Sequence, residues 1–429
     1  MSQTKNYDFY FKASSVLTKW LPRTGAGLLN ETVPAVMSNR FIIRRHFNQD
    51  MTRLKKIAHF HKILVIADLN IGDAVNLQAS VSALRDFFPD TQIDYLINRS
   101  AECLIAGNPE ISTLLPVLSG EPFPVDDDFK AIENALYAGQ YDVIFNFCPL
   151  FKQTLFGRFK ERVISVSLMA SLIIRNEKSK EEKNHVAYQA HRLVYRLFSA
   201  LLQPEKKHRF GDVRITLSNS AIEQAETFIL ENGLNHRRSV VFLNPDTSSG
   251  FTRIPLERQI SLIRKLADLN RVDTILLGAG HVEKNIEQKI LNAVPESLRR
   301  KITVVPSSLS IDAYAALIDY CDIYITGDTG PLHIAAARKF AKSGEHTFRN
   351  RTAVFSIFGS TPARVYGYDS DDLNYLASSQ DAPSRVYIAD SPCRNITCIN
   401  KMAKTCKKVR CFESLDTGTI IQDIRLCLQ

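Results

Sequence analysis

Two successive runs of strand–helix alternation predict an α/β protein with two halves and a cleft between them, preceded by a helical extension. Three observations carry this reading. Short apolar runs rich in Val, Ile and Leu alternate with amphipathic stretches, the pattern of parallel sheets covered on both faces. The alternation starts at Lys62, is interrupted by the charged stretch 176–187 and restarts near Val240. Polar, glycine-containing turns follow several of the strands, and open α/β sheets bind ligands at the carboxyl ends of their strands. A chain of 429 residues has room for two or three domains. Its 45% hydrophobic and 23% charged content is ordinary for a soluble globular protein.

Residues 1–60 form the extension and show no strand pattern. From Val36 they read as a helix with Ile43, Phe47, Met51 and Leu54 on one stripe and Arg40, Arg44, Arg45, Arg53, Lys55 and Lys56 mostly elsewhere. Such a basic amphipathic helix either lies on an anionic membrane surface or docks its stripe on the body of the protein. The first half, 61–204, opens on the strand Ile63–Ala67 and the loop Asp68-Leu69-Asn70-Ile71-Gly72-Asp73. A helix follows from about Ala74 to Phe88, stopped by Pro89-Asp90. Strands at 93–97 and 142–147 and a helix from Tyr188 to Leu202 complete this half. The second half, 205–390, has strands at 240–245, 274–278, 302–305, 320–326 and 354–359, with helices at 255–269 and 311–319. Residues 391–429 hold a cysteine-rich segment and a C-terminal helix.

The net charge of +9 is concentrated at the ends. Residues 1–60 hold ten Lys/Arg against three Asp/Glu, and residues 391–411 hold six Lys/Arg and no acid. The body between is mildly acidic, and basic residues are not interleaved with aromatics. That pattern speaks against nucleic acid as a partner and for local contact with an anionic surface or ligand. The longest apolar run, Val163 to Ile174, is 12 residues with three serines, too short to span a bilayer. No N-terminal secretion signal is evident, so a cytoplasmic protein, peripheral at most on the inner face of the membrane, is expected. Its eight cysteines then read as thiols or metal ligands before disulfides.

Four motifs carry chemistry. Gly327-Asp328-Thr329-Gly330-Pro331-Leu332-His333 joins a buried strand to a small-residue helix. Its N–H groups and the helix dipole suit a phosphate, while the Asp328 carboxylate suits sugar hydroxyls. His333, one turn into the helix, can reach either; a tight turn with no ligand is the alternative. Asp73, after Gly72, is either a general base for a hydroxyl or an ordinary helix N-cap. In the loop Asn244 to Arg253, the Arg253 guanidinium can fork onto a diphosphate or stay on the solvated surface. Cys393, Cys398, Cys406 and Cys411 lie within 19 residues at spacings x4, x7 and x4. They suit a structural tetrathiolate zinc or iron site, with free thiols as the alternative.

From Lys62 onward the chain resembles the glycosyltransferase family 9 enzymes, the ADP-heptose-dependent heptosyltransferases. The stretch Asp322 to Ala337 is close to that family's donor motif, and Gly72-Asp73 matches its N-terminal Gly-Asp. Phe358-Gly359-Ser360-Thr361-Pro362 resembles its Phe-Gly-Pro-Thr element, and Ser391-Pro392-Cys393 recurs in many members. The resemblance implies a GT-B fold of two Rossmann-like domains, acceptor mainly on the first and nucleotide sugar mainly on the second. It implies inverting transfer with no catalytic metal and with Asp73 as base. Asn70 and Gly72 would lie on the acceptor side. Thr247, Arg253, Glu283, Asp328, Thr329, Gly330, Pro331, Leu332 and His333 would hold the donor.

The chain departs from the family in places. Thr252-Arg253-Ile254-Pro255 stands where many members have Lys-Arg-Trp-Pro, and Asp68 where many have a basic or neutral residue. The stretch Arg338 to Arg351 is longer and more basic, and residues 1–60 are additional. The expected function is transfer of a sugar, heptose from ADP-heptose in the first place, to a lipopolysaccharide-type or other glycan. The alternatives are a protein heptosyltransferase with a cysteine-bound metal and a non-catalytic nucleotide-sugar-binding or assembly protein. Oligomerisation is open.

Overall fold

Eleven strands among the described residues form two separate, entirely parallel sheets. They are seen in a computed structural model that describes residues 51–52, 54–57, 59–67, 70–117, 141–147, 163–165, 185–199, 201–202, 213–234, 239–248, 250–340, 352–359, 361, 363–368, 384–389 and 410–429. The first sheet contains β1 (Lys62–Ala67), β2 (Gln92–Asn98), β3 (Thr113–Val117), β4 (Val143–Asn146) and β5 (Val163–Ser165) in the order β3-β2-β1-β4-β5. The second contains β6 (Ser239–Leu243), β7 (Val272–Gly278), β8 (Ile302–Val305), β9 (Ile323–Gly327), β10 (Ala353–Phe358) and β11 (Ser384–Ile388) in the order β11-β10-β9-β6-β7-β8. Each is the Rossmann arrangement, in which strand order reverses beside the first strand. The reversal points are β1/β4 and β6/β9, and the crevice at such a point is where open sheets hold ligands.

The central strands are buried along almost their whole length, as Ile63 to Ala67, Ile323 to Gly327 and Ala353 to Phe358 show. This is why they read as unbroken apolar runs rather than alternating ones. The principal helices are α1 (Ile71–Phe87), α2 (Val186–Phe198), α3 (Asn219–Glu231), α4 (Leu256–Ala267), α5 (Ile286–Ala293), α6 (Ile311–Tyr320), α7 (Gly330–Phe340) and α8 (Thr417–Cys427). The amphipathic α2 lies along α1, and α8 packs on α4. Helix α1 is buried nearly all round, enclosed by β1, β2, α2 and α7. Its interior polar groups are paired: Asn108 Nδ2 donates to Gln78 Oε1 at 2.7 Å, and the Ser80 hydroxyl donates to the Leu77 carbonyl at 2.6 Å.

The two halves share one continuous core. Residues of β1, α1 and α2 pack in the same apolar cluster as Leu317, Tyr324, Leu332, Ile334 and Ala335 of the second half. The segment entering the second half is pinned by Arg338, buried, which pairs with Asp319 at 2.6 Å and donates to the Ile215 carbonyl at 2.5 Å. Of the stripe expected on the N-terminal helix, Met51 and Leu54 are buried in this core, while Lys55 and Lys56 are exposed. Those two positions behave as a docked face; Ile43, Phe47 and the rest of the extension up to Asp50 lie outside the described residues. No helix among the described residues is long and apolar enough to cross a membrane.

Candidate active site

Three loops from the two reversal points converge: the one after β1, the one after β6 and the one after β9. Asp73 belongs to the first. The sequence suggests a helix from Ala74, with Asp73 as a candidate cap, but α1 begins at Ile71 and Asp73 sits in its first turn. The preceding residue, Asn70, makes no side-chain cap bond, so nothing in the sequence marks the true start. The Asp73 carboxylate reaches back to the Asn70 N–H instead, the return half of a capping box. Burial first, then the nearby Asp328 carboxylate, raise its carboxyl from 3.8 to about 7, against that single backbone bond. Asp328 is raised as well, to about 6, by burial, which outweighs the lowering influence of the Thr361 hydroxyl. Tyr366 faces both carboxylates, and burial followed by the charges of Asp73 and Asp328 push its phenol well above the ordinary value.

Gly72 and Gly330 let the first turns of α1 and α7 approach this closely. A Cβ on Gly72 would stand 2.2 Å from His333 Cδ2, and one on Gly330 would lie 3.4 Å from Ile71 Cβ. The first is sterically forbidden, so Gly72 is where the two halves touch. Two helix N-termini, each carrying a carboxylate, therefore face one seam. Their dipoles make the seam receptive to an anion.

The residues expected on the donor side separate into three groups. Pro331 has no N–H, and the Leu332 N–H donates to the Thr329 carbonyl at 3.0 Å, with the Leu332 side chain wholly buried. The amides left to meet an anion on this turn are those of Thr329 and Gly330. Thr247 is buried against Gly327, with the Thr252 hydroxyl donating to its Oγ1 at 2.9 Å. Arg253 is not a lone surface residue. Its Nε donates to Asp246 Oδ1 at 2.9 Å, its Nη2 stands in ion-pair contact with the same oxygen at 2.9 Å, and its Nη1 donates to Glu283 Oε2 at 2.9 Å. Glu283 also pairs with Lys289 at 2.5 Å. Arg253, Glu283 and Lys289 line an open groove of about 330 Å³ whose apolar wall includes Ile254, Leu256 and Ile286.

Asp246 organises that wall and was not evident from the sequence as a site residue. Its carboxylate accepts from the N–H groups of Val282 at 2.7 Å, Glu283 at 3.1 Å and Thr247 at 2.9 Å, besides Arg253. Burial alone would raise its carboxyl, but these donors and the guanidinium hold it below the ordinary carboxylate range. The only signal available was an acid in a strand-to-helix loop seven residues before an arginine. His333 also differs from expectation. It is buried and turned to Asn76 and Tyr368 rather than standing open toward a ligand. Asn70 is exposed at the mouth of the first loop.

Of the cysteine cluster, Cys393, Cys398 and Cys406 lie outside the described residues, and Cys411 is buried beside Gly359. Among the described residues no group of three or more His, Cys, Asp or Glu side chains is placed to hold a metal.

The sequence pattern of glycosyltransferase family 9 (heptosyltransferase) matches residues 129–341. That match spans just under half of the chain. The chain is 22% identical over 372 residues to a Campylobacter jejuni lipooligosaccharide heptosyltransferase 2, covering 85% of this chain and 98% of that one. In structure it is similar to a family 9 glycosyl transferase from Veillonella parvula, with a TM-score of 0.63 at 16% identity, covering 87% and 98% of the two chains. It is also similar to the E. coli ADP-heptose lps heptosyltransferase II, with a TM-score of 0.58 at 16% identity, covering 86% and 98%. The fold is thus GT-B, and the similarities indicate a nucleotide-sugar-dependent glycosyltransferase.

Proposed function

We propose that this enzyme transfers heptose from ADP-heptose, with inversion, to a lipopolysaccharide-type glycan, using Asp73 as general base. The observation that carries the reading is the pair of carboxylates brought to one seam, Asp73 raised to about 7 and Asp328 to about 6. A base that takes a proton near neutral pH matches the transfer of a hydroxyl proton. The acceptor hydroxyl oxygen attacks the anomeric carbon as its proton passes to Asp73. The bond from that carbon to the diphosphate oxygen breaks, and its electron pair leaves with the nucleoside diphosphate.

The developing charge on the leaving group falls to the Thr329 and Gly330 amides at the N-terminus of α7. Arg253 adds to it. Its Nε and Nη1 are held by Asp246 and Glu283, which aim the fork and leave its other N–H groups for phosphate oxygens. Asp328 takes sugar hydroxyls, and Glu283, at the rim of the groove, takes the ribose. The choice of ADP-heptose is supported by the related E. coli enzyme named for that donor. The basic ends of the chain suit an acceptor held in an anionic membrane, reached from its cytoplasmic face.

Calorimetry with a panel of nucleotide sugars, paired with turnover by the Asp73→Ala protein, tests the reading. ADP-heptose should bind most tightly and the variant should lose transfer. Binding to no nucleotide sugar would sink the donor assignment, and unimpaired transfer by the variant would remove Asp73 as base. Metal analysis of the purified protein, with and without Cys393→Ser, decides whether the cysteine cluster holds zinc or iron.

A further inference from the structure

Behind the two carboxylates, three side chains from distant parts of the chain form a tight polar triangle. The Tyr368 hydroxyl donates to Asn76 Oδ1 at 2.7 Å. Asn76 Nδ2 lies 3.0 Å from His333 Nδ1, and the Tyr368 oxygen lies 2.9 Å from the same nitrogen. All three residues are buried. Asn76 is on α1, His333 is on α7 and Tyr368 follows the short helical turn Ala363–Tyr366, so the triangle ties the first half to the second.

Its polarity is determined by elimination. Asn76 Oδ1 is taken by the tyrosine, so the amide presents N–H to His333, and Nδ1 must accept. Burial lowers the ring's basicity to about 4, so it stays neutral and its proton sits on Nε2. The Cδ2–Nε2 edge then occupies the space beside Gly72, 2.2 and 3.0 Å from where a Cβ would be. Gly72 immediately precedes Asp73.

We propose that Asn76 and Tyr368 are positioning residues for the transfer reaction: they fix His333 as the neutral Nε2–H tautomer and so set the register of the turn carrying Asp73 against the helix that follows Asp328. This builds on the family 9 reading and on Asp73 as base. The partners are redundant. Without the Asn76 amide, the Tyr368 hydroxyl loses its acceptor and can turn to Nδ1; without the Tyr368 hydroxyl, the Asn76 amide still donates. Only loss of both frees the ring.

The test uses nitrogen NMR of histidine-labelled full-length protein and steady-state kinetics. Wild type, Asn76→Leu and Tyr368→Phe should each show His333 protonated on Nε2. Each single variant should lose only a few-fold in kcat. The double variant should show mixed tautomers and a kcat loss of about 10–100-fold, more than the product of the singles, with KM for the nucleotide sugar nearly unchanged. An Nδ1–H signal in wild type overturns the proposal, as does a folded double variant with wild-type kcat or with losses that simply multiply. If the double variant does not fold, Asn76→Asp replaces it. The carboxylate forces Nδ1–H, so kcat should fall with KM retained, and unchanged kcat overturns the proposal. The NMR result needs no substrate, so a failure of the ADP-heptose assignment would be seen separately, as absent binding by wild type.

Discussion

Asp73→Asn should abolish transfer and stabilise the protein, and the stabilisation should depend on pH. In the folded chain the Asp73 carboxyl is raised from 3.8 to about 7, chiefly by burial and then by Asp328. The folded state therefore holds that proton more tightly than the unfolded state does. Between the two values the native protein binds more protons, so stability falls as pH rises from about 4 and the loss is complete above about 7. At 1.36 kcal/mol per unit the whole effect is roughly 4 kcal/mol, of which roughly 2–3 kcal/mol is lost between about pH 5 and 8. Partial contact of the carboxylate with water reduces that to about 2 kcal/mol. Asparagine cannot ionise and escapes the loss. Urea unfolding of both proteins at pH 5 and pH 8 should show the variant's advantage growing by about 2 kcal/mol at the higher pH, while kcat falls roughly 10²–10⁴-fold. An advantage equal at the two pH values would mean that Asp73 titrates normally in the native state, and the argument for it as a tuned base would fail.

Three further outcomes are expected. The kcat–pH profile should rise through an acid limb near 7 as Asp73 ionises; in Asp328→Asn that limb should move down yet stay above the ordinary carboxylate value, because burial, the larger cause, remains. A limb that does not move would exclude coupling of the two carboxylates. Gly72→Ala places a Cβ on the His333 ring between two packed helices, and calorimetric melting should report a loss of about 1–3 kcal/mol together with lower kcat; a wild-type melt and rate would show that the seam is looser than drawn. Asp246→Ala leaves Arg253 and the amides of Thr247, Val282 and Glu283 without their acceptor. KM for the nucleotide sugar should rise about tenfold with a smaller change in kcat, and an unchanged KM would separate this loop from donor binding.

Most of the fold was legible because parallel strands covered on both faces must be apolar throughout. Ile302–Val305, at the edge of the second sheet, falls where its sequence places it, and the central strands shift by a few residues at their ends. The strands that escaped notice, β3, β5 and β11, are all edges. In β3, Thr113-Leu114-Leu115-Pro116-Val117 contains a proline, which only an edge tolerates. In β11, Ser384-Arg385-Val386-Tyr387-Ile388 is too polar and short to stand out, and Ile388 is 66% exposed. At the site, Asp73 and Asp328 were legible because each follows a strand on a glycine-containing turn. Asn76, Tyr368 and Asp246 were not, since their roles exist only once the chain has closed: Tyr368 meets Asn76 across 292 residues, and Asp246 meets the amides after β7 across more than 35.

The three site aspartates show how one residue type is given opposite tasks. All three follow a strand at a reversal point, and burial pushes each carboxyl upward. What separates them is the number of donors. Asp246 accepts from three backbone amides and a guanidinium, which overturn burial and keep it ionised as an anchor. Asp73, at the positive end of α1, has a single backbone bond and a second carboxylate nearby, so the helix dipole does not restore its acidity. Asp328 has only the influence of the Thr361 hydroxyl to lower it. An anchor must never take up a proton, whereas a base must take one at neutral pH and release it again. The donor count sets which of these a buried aspartate becomes. Within this chain it leaves Asp73, raised furthest of the three and one residue from the closest approach of the two halves, as the carboxylate that suits the proposed base.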